Sequence, residues 1–229
     1  MSEPRRIYSI DIFRGMTIAF MIIVNNPGSW GHVYGPLLHA KWHGCTPTDL
    51  VFPFFLFLVG ASMRFAFVKW HYFPSKEFHK HIFWRTFSIF LAGIILNAYP
   101  FIKQDWDWSS FRILGVLQRI ALAYGLSALM IIRFDFKQMV QILTGILLFY
   151  WGILWVGVSG DPFGLETNLV RKLDILILGE EHLYRGFGLY FDPEGLLSTI
   201  PSVGTVIICL LYTSPSPRDQ RGSRIPSSA

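Results

Sequence analysis

The sequence predicts an all-α fold, a polytopic bundle of transmembrane helices, and three observations carry that expectation. Of the 229 residues, 52% are hydrophobic and only 15% are charged, whereas a soluble domain carries about 25% charged residues. Mean hydropathy is +0.41. Apolar runs recur at lengths that match the roughly 20 helical residues needed to cross about 30 Å of hydrocarbon. Together these exclude a water-soluble globule with a polar surface all round. Cys45 and Cys209 are the two cysteines. They are too few for a disulfide scaffold and have no C-x-x-C or metal-ligand spacing, which removes redox chemistry and structural zinc, so no metal site is expected.

The runs fall at 12 to 26, 50 to 68, 82 to 99, 111 to 132 and 139 to 158, and a sixth begins near Leu196. This predicts about five complete spans plus a truncated sixth. The first run opens with Asp11 and Arg14 and lacks a small-residue cleavage site, so it reads as a retained helix rather than a removable signal peptide. Between the fifth and sixth runs, Leu169 to Leu178 is apolar but interrupted by Arg171, Lys172 and Asp174. It is too short and too charged to span, and predicts an interfacial helix with a turn-rich neighbour. From about Leu210 the composition turns to Pro, Ser and Arg. Residues 1–209 therefore read as one membrane domain, and 210–229 as a disordered, non-native tail resembling the translated read-through of a sequencing adapter.

Charge sets the expected orientation. Arg5, Arg6, Lys69, Lys76, Lys80, Arg133 and Lys137 fall in segments on one side, against Lys41 and Lys103 in the first two loops on the other. The positive-inside rule then places the N-terminus in the cytoplasm. Segments 27 to 48, 100 to 110 and 159 to 195 face outward. The net charge of +5 fits this orientation better than binding to nucleic acid.

Polar residues inside apolar spans are costly and therefore informative. Counting 1.5 Å per residue from a helix start at Phe111 puts Arg119 about 12 Å deep, near the midplane. There it serves either as a packing partner for a carboxylate or as a substrate contact. Arg14, Arg64 and Arg85 lie toward the cytoplasmic ends of the first three spans. They either snorkel to the headgroups or converge on a phosphate-rich cytosolic ligand, which guanidinium forks match. At the outer side Asn25 and Asn26 close the first span, as helix caps or as oxyanion donors. His39 can act as a general base or an acyl acceptor, because its neutral imidazole is nucleophilic and titrates near pH 7; the alternative is a solvated loop histidine, as for His32 and His43. Asp49 can hold the tautomer of His39 if the loop folds back, or else caps the second helix.

Three segments are more specific than these residues singly: SIDIFRGMTIAFMIIVNNPG, LHAKWHGCTPTDLVFPFFLFLVGAS and RILGVLQRIALAYG. They resemble the heparan-alpha-glucosaminide N-acetyltransferase family of membrane acyltransferases and its bacterial relatives, as does the stretch from Asp192 to Ser202. The resemblance runs from about Arg6 to Cys209. It covers the N-terminal half of a family member with ten or more spans, so the chain alone is expected to be an inactive fragment.

The resemblance implies acetyl transfer from cytosolic acetyl-CoA, as co-substrate, to the amine of an amino sugar on the far side of the membrane. It places the essential histidine of an H-A-x-W motif at His39 and the motif aspartate at Asp49. It also implies the bilayer and an amino-sugar substrate as partners, no nucleic acid, and an inner-membrane location; a homodimer stays open. The family's W-N-G is Trp42-His43-Gly44 here, which adds a second imidazole near the site. An amino-sugar transporter is the alternative reading, since a bundle with intramembrane Arg and Asn can translocate a sugar without chemistry.

Overall fold

A computed structural model describes residues 8–68, 75–99, 108–156, 158, 160–186 and 188–213. The helices of these described residues are α1 (Tyr8–Asn25), α2 (Val51–Val68), α3 (Lys76–Asn97), α4 (Val116–Arg133), α5 (Phe136–Val156), α6 (Leu169–Leu178) and α7 (Leu196–Tyr212). The strands β1 (Arg185–Gly186) and β2 (Leu189–Tyr190) form a small antiparallel hairpin in which Arg185 faces Tyr190. The all-α expectation holds.

Among the described residues, four segments are long and apolar enough to cross a membrane: Tyr8–Asn25, Thr48–Phe67, Val116–Arg133 and Phe136–Val156. The remaining expected span, 82 to 99, lies on α3. α3 has 22 residues, but its N-terminal half carries Lys76, Glu77, Lys80 and Arg85, and α7 has 17 residues.

Local chemistry sets the boundaries. Ser75 caps α3 by accepting from the Phe78 amide at 3.1 Å, so the helix starts at Lys76 rather than 82. Asp135 and Gln138 form a reciprocal capping box at the start of α5, the Gln138 amide donating to Asp135 at 2.8 Å and the Asp135 amide to Gln138 at 2.9 Å. Asn168 caps α6 through the Arg171 amide at 2.8 Å, and that helix spans the predicted 169 to 178.

α4 starts at Val116, five residues later than expected. Residues 111–115 are extended because side chains take the carbonyls a helix would use. Asn97 donates to the carbonyls of Arg112 and Leu114 at 3.1 and 3.3 Å. Gln118, 1% exposed, donates to the Ile113 carbonyl at 3.0 Å. α7 in turn continues through Tyr212, and Leu210 is fully buried. The break read at Leu210 therefore lies inside a helix; the rest of the proposed tail, 214–229, falls outside the described residues.

The core forms where α2, α4 and α7 meet, with Leu56, Met63, Ile120, Tyr124, Val206, Ile207 and Leu210 buried together and Phe78 and Ile82 of α3 packed in. Small residues permit this closeness, as in membrane helix pairs generally. A Cβ on Gly60 of α2 would lie 2.7 Å from the Val206 carbonyl of α7, and one on Gly125 of α4 would lie 2.8 Å from the Thr86 hydroxyl of α3. α1 and α5 flank this core and expose apolar faces, including Met16, Ile22 and Ile23 on α1 and Leu148, Phe149 and Trp151 on α5.

Candidate functional site

One end of the bundle gathers the 26–50 loop and the first turns of α2, α4 and α7. There the loop folds back on itself around Asp49. The Asp49 Oδ2 atom accepts from the amides of Thr46 and Ala40 at 2.8 and 3.2 Å and from the Thr46 hydroxyl at 2.9 Å. Its Oδ1 atom lies 2.7 Å from Nδ1 of His39. Asp49 therefore organises the loop that precedes it and does not cap α2. An ionised carboxylate at Nδ1 holds the proton there and leaves Nε2 with its lone pair. The His39 side chain is 63% exposed, so that nitrogen is reachable. His32 and His43 are exposed loop residues.

Asn25 and Asn26 turn back onto their own helix. The Asn25 amide donates to the Met21 carbonyl at 2.8 Å and that of Asn26 to the Ile22 carbonyl at 2.9 Å. The helix-end reading of the two asparagines accounts for these bonds.

Arg119 is corrected in depth and in partner. With α4 starting at Val116 it stands in the first turn, about 4.5 Å along the helix, not near the midplane. Its guanidinium points into the bundle and donates to the Pro193 carbonyl at 2.9 Å and the Ser198 carbonyl at 2.5 Å. It also covers the Phe52 ring at 5.5 Å. These contacts tie α4 to α2, to the turn before α7 and to the first turn of α7 through backbone carbonyls and a ring, where a carboxylate or a substrate was expected.

Sequence reasoning missed the ion cluster beside it. Arg112 donates from Nε and Nη2 to Asp192 at 3.1 and 2.6 Å and from Nη2 to Glu194 at 2.5 Å, and it stacks over Tyr184 at 5.1 Å. Burial pulls the Arg112 guanidinium pKa down, but the two carboxylates outweigh it and raise it. Burial raises Glu194. Asp174 of α6, with 0% exposure, accepts the Leu196 amide at 2.9 Å and so caps α7. Its carboxyl is pushed up to about 6, by burial first and by the neighbouring Asp192 charge as well. The available signal was chemical: Arg112 and the acids of Asp192 to Glu194 all border apolar runs, where charges need partners.

The second polar region lies between α1, α2, α3 and α4, in a cavity of about 540 Å³ lined by Arg14, Ser62, His81, Arg85 and Tyr124 among apolar side chains. Arg14 donates to the Ser62 hydroxyl and lies 3.9 Å from Asp11. Arg85 covers the Tyr124 ring at 5.1 Å. The Tyr124 hydroxyl is buried without a hydrogen-bond partner. His81 and Arg85 are four residues apart and share a helix face.

Arg85 is the tenth residue of α3, because the helix starts at Lys76. Arg14 and Arg85 line the same cavity. Arg64 does not line this cavity: it follows Ser62 by two residues, which turns it about 200° away around the helix.

Residues 6–169 match the family described as heparan-alpha-glucosaminide N-acetyltransferase, catalytic. The human heparan-alpha-glucosaminide N-acetyltransferase is 30% identical over 248 aligned residues, covering 87% of this chain and 37% of that protein. The mouse protein of the same name is 26% identical, covering 88% of this chain and 38% of its own length. The chain thus spans little more than a third of the curated relatives it matches. Both relatives are named as transferases, and the transporter alternative finds no support in them. With His39, Asp49 and Arg112 all inside the matched region, the chain belongs to the heparan-alpha-glucosaminide N-acetyltransferase catalytic family, as a multi-pass membrane member.

Proposed function

We propose that this chain contributes the acyl-transfer site of a membrane enzyme that moves acetyl from cytosolic acetyl-CoA to an amino-sugar amine on the opposite side. The observation that carries this reading is the 2.7 Å contact between His39 and Asp49, which leaves Nε2 of an exposed imidazole basic and nucleophilic. A substrate amine attacking the thioester carbonyl gives up its proton to Nε2 as the C–S bond breaks and the thiolate leaves. In the alternative route Nε2 itself takes the acetyl and passes it to the amine. Asp49 stabilises the imidazolium of the first route and orients the ring in both. Asn25 and Asn26 each keep one amide proton beyond the helix-end bond, and are the candidates for the developing oxyanion.

Acetyl-CoA is the donor in this proposal, and its anionic part belongs to the cavity of Arg14 and Arg85. Guanidinium groups suit phosphate oxygens, and the unpartnered Tyr124 hydroxyl offers a further donor. Ser62 lies eleven residues beyond Val51 on α2, about 16 Å along the helix, so an extended acyl-pantetheine arm has to reach along α2 from this cavity to His39. Arg64 and Arg119 have no part in holding the donor.

The orientation rests on the Lys and Arg asymmetry, of which Arg5, Arg6, Lys69 and Lys103 lie outside the described residues. It puts the His39 end outside and the N-terminus in the cytoplasm of an inner membrane. The test is transfer of labelled acetyl from acetyl-CoA to glucosamine by a family-length polypeptide carrying this sequence, reconstituted in vesicles. His39→Ala should lower the rate by about 10³-fold or more, within the scale of general-base and covalent catalysis, with membrane insertion unchanged. Asp49→Asn should lower it by about 10- to 100-fold and leave residual activity, since the reacting nitrogen remains. Full activity in His39→Ala would overturn the assignment.

A further inference from the structure

A second cavity, of about 310 Å³, opens at the His39 end between α5, α6 and the turn before α7. Its walls include Trp42, Phe163 and Phe191, with Tyr150 of α5, Arg171 of α6 and Asp192. Trp42 and Phe163 each leave about 40% of their surface exposed. Such aromatic surface at a membrane boundary is ordinarily a belt residue facing the headgroups. Trp42 departs from that pattern. Its indole N–H donates to the Phe163 carbonyl at 2.6 Å, and its ring meets Phe191 edge-on at 6.0 Å, so the indole is fastened to the cavity wall.

The polar lining defines what fits. Asp192 is neutralised by Arg112, and Arg171 is held by the Tyr190 carbonyl at 2.8 Å, so the cavity presents no unpaired carboxylate to attract a cation. The Tyr150 hydroxyl, by contrast, has no hydrogen-bond partner among the described residues. A mainly apolar pocket with few convergent polar groups is the general form of a small-molecule site. Aromatic faces, a guanidinium held by backbone carbonyls and a free hydroxyl suit a hydroxylated ring. Position adds to this: Trp42 is three residues from His39, which bounds their Cα separation at about 11 Å.

We infer that this cavity is the acceptor subsite, seating a sugar ring against Trp42 and Phe163 with a hydroxyl bonded to Tyr150 and its amine directed toward His39. The inference rests on the acyl-transfer reading for the identity of the acceptor, but its own test does not. Binding of glucosamine to the chain in nanodiscs, read by saturation-transfer NMR, should be saturable and should be weakened about five- to tenfold by Tyr150→Phe, the effect of one neutral hydrogen bond. Phe163→Ala should weaken it as well. In the family-length polypeptide, Tyr150→Phe should raise KM for glucosamine by the same factor and leave KM for acetyl-CoA alone. Absence of binding to the unmodified chain, or binding that ignores both Tyr150→Phe and Phe163→Ala, would overturn the subsite. Binding that follows these variants in a protein without transfer activity would sustain the subsite and remove the acyltransferase proposal.

Discussion

The two polar regions of this bundle treat charge in opposite ways. At the His39 end the acids meet cations, His39 with Asp49 and Arg112 with Asp192 and Glu194, while Arg119 and Arg171 are held by backbone carbonyls. In the interior cavity Arg14 and Arg85 meet a hydroxyl and a ring face, while the nearest acid to Arg14, Asp11, stands at 3.9 Å. A region of paired charge is fixed in place before any substrate arrives. A region whose cations have mainly neutral neighbours gains most from an anion that enters. The contrast matches a phosphate-bearing donor in the interior.

The largest expected effect would break the paired end. Arg112→Met leaves Asp192, whose side chain is fully buried, and Glu194 without their cation. Removing one partner of a buried ion network costs about 3 kcal/mol or more. A large fall in the thermal unfolding midpoint in detergent should follow; an unchanged midpoint would show that the pairing is not structural.

A smaller effect should appear in the pH dependence. The Asp174 carboxyl is raised from 3.8 to about 6, so folding favours its protonated form. Its contribution is complete below about pH 4 and is lost as pH rises through about 6, on the order of 2 kcal/mol. The stability difference between Asp174→Asn and the unmodified protein should therefore change between pH 4 and pH 7, and most steeply between pH 4 and 6. A pH-independent difference would contradict the buried, titrating carboxyl.

The smallest effect sharpens the interior side. Arg14→Ala and Arg85→Ala should each raise KM for acetyl-CoA about tenfold, the scale of one charge-assisted hydrogen bond, with KM for glucosamine unaffected. A rise confined to glucosamine would exchange the roles of the two regions.

Much of this was legible before any coordinates. The H-A-x-W histidine and the aspartate ten residues on form the expected pair, and α6 has its expected bounds, because a short apolar run interrupted by charges is a local signal. Helix starts near charged or extended residues were not legible. Apolar runs alone put α4 at 111 and α3 at 82, and both errors displaced an arginine. Arg119, expected eight residues past a helix start, stands in a first turn, and Arg85, expected three residues past one, stands nine past it.

The sequence by itself determined that this chain is an all-helical membrane protein of an acyltransferase family, because composition, run length and contiguous motifs are properties of the chain in one dimension. Only the tertiary structure decided which charges meet. Arg112 is 80 residues from Asp192, and Trp42 is 121 residues from Phe163. Arg14 reaches Ser62 across two helices while Arg64, two residues further on, turns away. Such pairings depend on the rotational setting of each helix, and a shift of a few residues in a helix start rotates every side chain that follows.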